Sequence, residues 1–220
     1  MIHMEISNML KEKCPETVLA CIEAKVSITE LNEGLWDEIT SECNKIGNEF
    51  ELKDVLEIEN IKASRNAYKK LGKDPSRYRL SSESLYRRVV KERGLYKVNN
   101  IVDINNLVSL VTCNSVGTYD LDKIGSSICF TVGTEGEVYE GIGRGMINLE
   151  SLPVFQDEEG KFGSTTSDSL RAMITKDTRR ILMNIISFNG DKGLNQYIDF
   201  AKELLEKYAE AEDIKSKIIK

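Results

Sequence analysis

The sequence predicts an α+β fold, in which helices and strands occupy largely separate parts of the chain. Apolar residues recur at helical spacing up to residue 112, whereas short β-branched runs between glycine-containing turns dominate over 113–190. With 220 residues, 40% of them apolar and 30% charged, the chain can bury a sizeable core. We expect one domain over 1–220 that is helix-rich to 112, strand-rich over 113–190 and closed by a helix over 191–210.

Helices are predicted from apolar periodicity and from end signals. The clearest has apolar residues stepping by three or four positions, which places them on one face: Leu35, Ile39, Cys43, Ile46 and Phe50. Ser7 can cap the first helix, and Gly72 and Gly94 can end two others. The predicted helices cover 8–13, 30–50, 61–71, 81–93, 99–112 and 191–210.

Strands are predicted where β-branched and aromatic residues cluster between turn signals. One strand is expected over 17–28, and further strands over 169–175 and 179–188. One hairpin is expected around the turn at 134–136 and another around the turn at 157–160. The glycine-rich run GIGRG, Gly141–Gly145, lacks both P-loop and GxGxxG spacing, so it predicts a bulge or close packing rather than a phosphate loop.

Several classes of protein are excluded by composition. The one histidine, His3, lies near the start of the chain, which argues against a Ser-His-Asp triad, a Cys-His dyad and a multi-histidine metal site. Five scattered cysteines without a CxxC pair argue against a disulfide framework or a zinc knuckle. No apolar run is long enough to span a membrane. We therefore expect a cytoplasmic protein with no metal, no organic cofactor and no membrane partner.

Charge is distributed unevenly along the chain. Residues 1–61 carry 5 basic and 14 acidic side chains, residues 62–97 carry 12 basic and 3 acidic, and residues 98–220 carry 13 basic and 19 acidic. The strongly basic block 62–97 within a protein of net charge −6 indicates contact with a polyanion. The alternative is a solvated helical face that pairs with the acidic first third.

The basic block has features that suit RNA. The planar guanidinium group of arginine can form two hydrogen bonds with one phosphate. An aromatic ring between two arginines, as in Arg77-Tyr78-Arg79, offers a face on which a base can stack. The alternative is that the tyrosines are half-buried anchors and the arginines cap helices or pair internally. The candidate RNA-binding residues are Arg65, Lys69, Lys73, Arg77, Arg79, Arg87 and Arg88.

A second candidate is the hydroxyl-rich segment GSTTSDSLR, residues 163–171. Hydroxyl groups together with Asp168 and Arg171 can line a polar pocket and position a water molecule. The alternative is an ordinary Ser/Thr turn with an Asp–Arg ion pair.

Three stretches resemble the stand-alone B-three/B-four domain family, which is similar to the editing module of the bacterial phenylalanyl-tRNA synthetase beta subunit. They are YKKLGKDPSRYRLSSESLYRR, GLYKVNNIVDINNLVSLVTCNSVGTYDLDKI and TSDSLRAMITKDTRRILMNI. The most specific is 98–124, where a Val-Asp-x-x-Asn helix leads into a loop that ends in Tyr119-Asp120. The resemblance covers roughly 5–208.

The resemblance implies a β-sandwich-like mixed sheet core with peripheral helices, and a pocket that receives the 3′ end of mischarged tRNA. A separate editing site is needed because a hydrophobic pocket for Phe cannot strongly reject Tyr, which differs by one hydroxyl group. The family's loop histidine aligns with Gly117. The implied pocket is lined by Asn100, Asn114, Gly117 and Asp120. The implied catalytic residues are Asp168, Ser167 and Arg171.

Three functions remain open from the sequence. The first is a trans-acting aminoacyl-tRNA deacylase, in which Asp168 or a hydroxyl-bound water activates attack on an intrinsically labile ester. The second is a non-catalytic tRNA- or RNA-binding module. The third is a binding protein for a small molecule such as an amino acid or nucleotide. The 220 residues contain no catalytic or anticodon module of a synthetase, so we do not expect a complete tRNA ligase.

Overall fold

Two four-stranded sheets form the centre of the fold in a computed structural model that describes residues 1–220. In the mixed sheet, with order β1-β4-β7-β8, the first pair is parallel and the others are antiparallel. Its strands are β1 His3–Ile6, β4 Ser127–Val132, β7 Pro153–Asp157 and β8 Gly160–Ser164. The antiparallel sheet has the order β10-β2-β9-β3. Its strands are β2 Val18–Lys25, β3 Ser115–Asp120, β9 Arg180–Ser187 and β10 Glu212–Ile219.

Six helices and a separate hairpin complete the architecture. The hairpin consists of β5 Val138–Gly141 and β6 Gly145–Asn148. The helices are α1 Asn8–Lys13, α2 Glu33–Glu49, α3 Glu59–Leu71, α4 Ser81–Val90, α5 Asn100–Thr112 and α6 Leu194–Ala209. None of these helices combines the length and the apolar character needed to cross a membrane.

The two central strands of the antiparallel sheet, β2 and β9, are buried on both faces, which explains their nearly continuous apolar sequences. Along β2, Ala20 and Ile22 pack toward α2, α5 and α6, whereas Leu19 and Cys21 pack toward the mixed sheet. Strand β9 divides its side chains in the same alternating manner. The result is three layers: the mixed sheet, the antiparallel sheet and a layer of helices. This architecture confirms the predicted α+β class with a sandwich-like core and peripheral helices.

Tyr119 on β3 is wedged between two glycines where the sheets meet. Its ring makes edge contacts with Phe155 and Phe162 of the mixed sheet, at centroid distances of 5.6 and 5.0 Å. A Cβ atom at Gly117 would lie 2.3 Å from the Tyr119 hydroxyl oxygen, and one at Gly163 would lie 2.2 Å from it. Both positions must therefore be glycine for the ring to lie between the sheets.

The predicted helices are confirmed, with ends shifted by a few residues, but the first predicted hairpin is wrong. Strand β4 has β1 on one side and β7 on the other, so both of its edges are occupied and β5 cannot pair with it. Strand β5 pairs instead with β6, around the GIGRG run, where Gly143 and Gly145 adopt positive φ angles of 66° each. These glycines therefore form a hairpin turn rather than a bulge.

The predicted strand at 169–175 is also wrong. Ser169 forms an isolated bridge with Gly141, and 170–175 is a bend, a turn and irregular chain in which Ala172 and Ile174 are buried and Leu170 is exposed. Ala172 and Ile174 are two positions apart, which is the spacing of side chains on one face of a strand, but 170–175 pairs with no neighbouring strand. The edge strands β1 and β10 were missed because their alternating side chains are mostly partly exposed and carry little apolar signal.

We expect Gly163→Ala to destabilise the protein by about 1–3 kcal/mol, since the new methyl group overlaps the Tyr119 phenol. Urea unfolding followed by circular dichroism measures the change. The matched control is Gly47→Ala on the exposed surface of α2, where a Cβ atom meets nothing within 4 Å. The control should gain about 0.5–1 kcal/mol. Equal changes in the free energy of unfolding for the two variants would contradict the placement of the Tyr119 ring against Gly163.

Candidate nucleic-acid interface

A cationic cleft of about 420 Å³ lies between α4 and α5. Six basic side chains line it, and no carboxylate does: Arg79, Arg87, Arg88, Lys91, Arg93 and Arg144. The remaining lining is mostly uncharged and able to form hydrogen bonds: Ser81, Ser84, Tyr96, Asn105, Asn106, Ser109 and Thr166, with Leu85 beside them. The cleft is therefore a strongly positive, polar depression that suits a phosphate-bearing ligand.

Helical periodicity brings these residues together. Ser81, Ser84, Arg88 and Lys91 follow one another at spacings of three or four along α4 and its end, so they share one face. The other face of α4 is anchored to α5, because the buried Tyr86 hydroxyl donates to the Leu110 carbonyl at 2.9 Å. The polar face is consequently turned toward the cleft.

A buried carboxylate, Glu83, holds the arginines in place from beneath. Its side chain is 1% exposed, and its oxygens lie 2.6 Å from Arg65, 2.8 Å from Arg87 and 3.5 Å from Arg79. Arg65 is itself mostly buried and also donates to the Pro75 carbonyl at 3.2 Å. Glu83 thus neutralises one charge while it orients two of the cleft arginines.

Arg88 is fixed by the turn that follows α4. Its guanidinium donates to the carbonyls of Gly94 and Arg93, at 2.5 and 3.2 Å. The same guanidinium lies 3.9 Å from the centre of the Tyr96 ring. Tyr96 is 70% exposed, so the guanidinium leaves much of its ring open to solvent.

The 164–168 loop, which follows β8, is held by three tyrosine hydroxyl groups. The Tyr68 hydroxyl lies 2.5 Å from Thr165 Oγ1 and 2.8 Å from Thr166 Oγ1. The Tyr139 hydroxyl donates to the Ser167 carbonyl at 2.5 Å. The third comes from Tyr119, which donates to Asp168. Burial raises the pKa of Tyr68 to about 12 and also raises the pKa of Tyr119 and of Tyr139, so all three hydroxyl groups remain protonated at neutral pH.

Asp168 is a carboxylate whose charge is only partly compensated. Its Oδ1 accepts from the Tyr119 hydroxyl at 2.9 Å and from the Ser164 amide at 3.1 Å, and its Oδ2 takes no hydrogen bond from the protein. Burial raises the pKa of Asp168 to about 6, against the smaller opposing effect of these two donors. At neutral pH it is an ionised carboxylate of raised basicity, able to accept a proton from water.

The 164–168 loop forms part of the wall of the cationic cleft. The Ser81 amide at the start of α4 donates to the Thr165 carbonyl at 2.9 Å, and Thr166 itself lines the cleft. A ligand in the cleft therefore contacts the same short loop that carries Asp168.

The predicted RNA-binding residues divide into four groups. Arg79, Arg87 and Arg88 line the cleft, whereas Arg65 lies beneath it. Lys73 is 7% exposed, donates to the Glu150 carbonyl at 2.5 Å and lies 3.8 Å from the centre of the Tyr78 ring. Two exposed residues lie outside the cleft lining: Lys69 and Arg77.

The structure does not bring the predicted pocket residues together with Asp168, apart from Gly117. Asn100 is buried, and its amide group bonds the Ser27 and Tyr208 carbonyls and the Thr29 amide. Asp120 is buried and accepts from the Thr178 hydroxyl at 2.8 Å. These side chains are occupied by internal hydrogen bonds.

Two further predicted pocket residues also have internal surroundings. Gly117 lies against the Tyr119 hydroxyl, so the space that a histidine would need at this position is filled by that phenol. The Asn114 side chain is buried and donates to the Thr112 carbonyl at 3.1 Å. Gly117 therefore contributes to the site indirectly, by admitting the ring that contacts Asp168.

The predicted catalytic residues separate as well. Arg171 forms a bidentate ion pair with Asp157, with N···O distances of 3.0 and 2.8 Å, and does not pair with Asp168. Ser167 belongs to the 164–168 loop and bonds Ser164 through its backbone. The structure gathers no group of three His, Cys, Asp or Glu side chains able to hold a metal ion.

Sequence reasoning missed part of the cleft. Arg144 enters from the turn of the β5–β6 hairpin, and nothing in the local sequence places that turn beside α4. Asn105 and Ser109 are polar residues one turn apart on α5, a spacing that the sequence shows. The sequence shows that Tyr96 lies inside the basic block, but it does not show that this side chain is exposed.

The sequence profile of the B3/4 domain matches residues 63–209, which include the whole cleft and the 164–168 loop. The chain belongs to the B3/4 domain family. The resemblance inferred from its motifs is thereby confirmed. No match among curated proteins reaches significance.

Among solved structures, this B3/4 domain is similar to an N-terminal fragment of the phenylalanyl-tRNA synthetase beta subunit from Pyrococcus horikoshii. The TM-score is 0.46 and the sequence identity 13%. The match covers 99% of this chain and 50% of the other, so the chain spans about half the length of that fragment.

We expect Glu83→Gln to lower the free energy of unfolding by about 3 kcal/mol, because it leaves the mostly buried Arg65 without its countercharge. Chemical denaturation measures the loss. Glu92→Gln is the control, since Glu92 is exposed and makes no ion pair, and it should change stability by less than about 0.5 kcal/mol. A stable Glu83→Gln variant would show that the arginines do not depend on this carboxylate.

Proposed function

We propose that this B3/4 domain binds RNA through the cationic cleft, with tRNA as its ligand. The observation that carries the proposal is the lining itself: six basic side chains and no carboxylate, in a protein of net charge −6. A cleft of this kind concentrates positive potential and attracts phosphate groups.

The pairing of the basic block supports this assignment. One ion pair joins the block to the acidic first third of the chain, between Lys62 and Glu57 at 2.6 Å. Arg65, Arg79 and Arg87 pair instead with Glu83 of the block itself. The acidic first third therefore pairs with none of the cleft cations, and four of them make no ion pair at all: Arg88, Lys91, Arg93 and Arg144. Membership of the B3/4 family favours tRNA as the source of the anion that they would bind.

A second candidate function is hydrolysis of an aminoacyl ester on the bound tRNA. It is favoured by Asp168, an ionised carboxylate with one free oxygen on the loop that also lines the cleft. In this step, water attacks the ester carbonyl carbon and gives a proton to Asp168. The bond to the ribose oxygen breaks, and that oxygen takes up a proton. The products are a free amino acid and an uncharged tRNA.

We expect tRNA affinity to fall by about 10²- to 10³-fold between 50 and 200 mM salt, as four to six phosphate contacts require. Lys91→Glu and Arg144→Glu should each weaken binding and reduce the salt dependence, because both residues are exposed in the cleft and make no ion pair. Filter binding with uncharged tRNA measures both effects.

The control for these variants is Lys192→Glu, an exposed lysine outside the cleft lining. It makes the same change in net charge and should leave tRNA affinity nearly unchanged. Equal weakening of tRNA binding by all three variants would show that the effect comes from the net charge of the protein and not from contacts in the cleft. Binding of free nucleotides or amino acids without binding of tRNA would favour the small-molecule function instead.

We expect selective deacylation of one member of a panel of mischarged tRNAs, with a rate that rises with pH through about 6 as Asp168 ionises. Asp168→Asn should abolish this activity while tRNA binding remains. The control is Asp199→Asn, at an exposed position on α6. Absence of hydrolysis across the panel, with tRNA binding retained, would leave a binding module without catalysis.

A further inference from the structure

The most exposed large apolar side chain of the protein lines its most basic cleft. Tyr96 is 70% exposed, more than any other such residue, and lies in the connection between α4 and α5. A tyrosine ring left in water forgoes the stabilisation that burial would provide. Its position beside six cations indicates a ring kept available for a ligand.

One side of this ring already carries a stacking partner. The Arg88 guanidinium lies 3.9 Å from the ring centre, and its contacts with Gly94 and Arg93 hold it there. The uncovered part of the ring can accept a second flat group. Nucleobases stack on tyrosine rings and on guanidinium planes, whereas paired bases inside a duplex have no free face to offer.

The other tyrosines of the basic block are not available for this contact. The Tyr78 ring is partly buried against the core and has the Lys73 ammonium 3.8 Å from its centre, and Tyr86 is buried. The stacking face that the sequence predicted at Tyr78 is therefore used inside the protein. Within the block, Tyr68 is buried as well, which leaves Tyr96.

We propose that Tyr96 and Arg88 form a stacking platform for an unpaired nucleobase, so that the cationic cleft accepts a single-stranded RNA end rather than a duplex. The proposal rests on the RNA binding proposed above and specifies the part of the RNA that is bound. Asn105 and Asn106 line the same cleft and offer amide donors and acceptors to a base edge. The volume of about 420 Å³ lies within the range of pockets that enclose a small ligand.

The test compares three fluorescent RNA probes with equal numbers of phosphates: a single strand, the same strand with abasic sites, and a duplex. Tyr96→Ala should weaken binding of the single strand by about 5- to 100-fold, which is the effect of losing one stacked base. Binding of the abasic strand and of the duplex should change less than twofold. Tyr96→Phe, which keeps the ring, should retain most of the affinity for the single strand.

Lys91→Glu serves as the phosphate-contact variant in the same assay, and thermal melting verifies that each variant is folded. An equal loss for the single strand and the abasic strand in Tyr96→Ala would overturn the stacking platform. Full affinity of Tyr96→Ala together with weak binding by Lys91→Glu would also overturn it, while RNA binding by the cleft would stand. If the unaltered protein binds none of the probes, both proposals fail.

Discussion

The insertion of Tyr119 between two glycines is the packing constraint on which the candidate site depends. The ring fills the space between the sheets, and its hydroxyl reaches Asp168 at 2.9 Å. A larger residue at Gly117 or Gly163 would displace the phenol, and the 164–168 loop would lose one of its three tyrosine contacts. The same ring thus contributes to the core and fixes the one carboxylate suited to proton transfer beside the cleft.

The second requirement is the buried charge of Glu83. Burying a carboxylate with arginines contributes little net stability, because desolvation offsets most of their attraction. Its structural effect is orientation, since Arg79 and Arg87 must share an acceptor beneath the cleft. Without such an acceptor, neighbouring guanidinium groups would repel one another and turn toward water. The cleft keeps a dense positive charge because one negative charge lies underneath rather than within it.

The sequence was sufficient for the six helices and for the charge distribution, but not for all of the strands or for the long-range assembly. Helix α2 followed from apolar residues at a strict helical spacing, and the basic block was evident from counting. Which basic residues share a cleft depends on the anchoring of α4 by Tyr86 and on a hairpin turn that carries Arg144. These are long-range contacts with no periodic signal. Arg171 illustrates the limit, because Asp157 lies nearer to it in space than the Asp168 that is closer in sequence.

The residues proposed to bind RNA and the carboxylate proposed to act in hydrolysis lie on different elements that are neighbours in the fold. Phosphate groups would contact the arginines of α4, whereas Asp168 lies on a loop held by tyrosines of three different elements. Thr166 belongs to both, since it lines the cleft and contacts the Tyr68 hydroxyl. The loop is therefore held by hydrogen bonds within the protein, and it carries Asp168 two residues from Thr166 of the cleft lining. The hydrolysis proposed above would rely on such positioning, because no histidine lies in this site to act as a base.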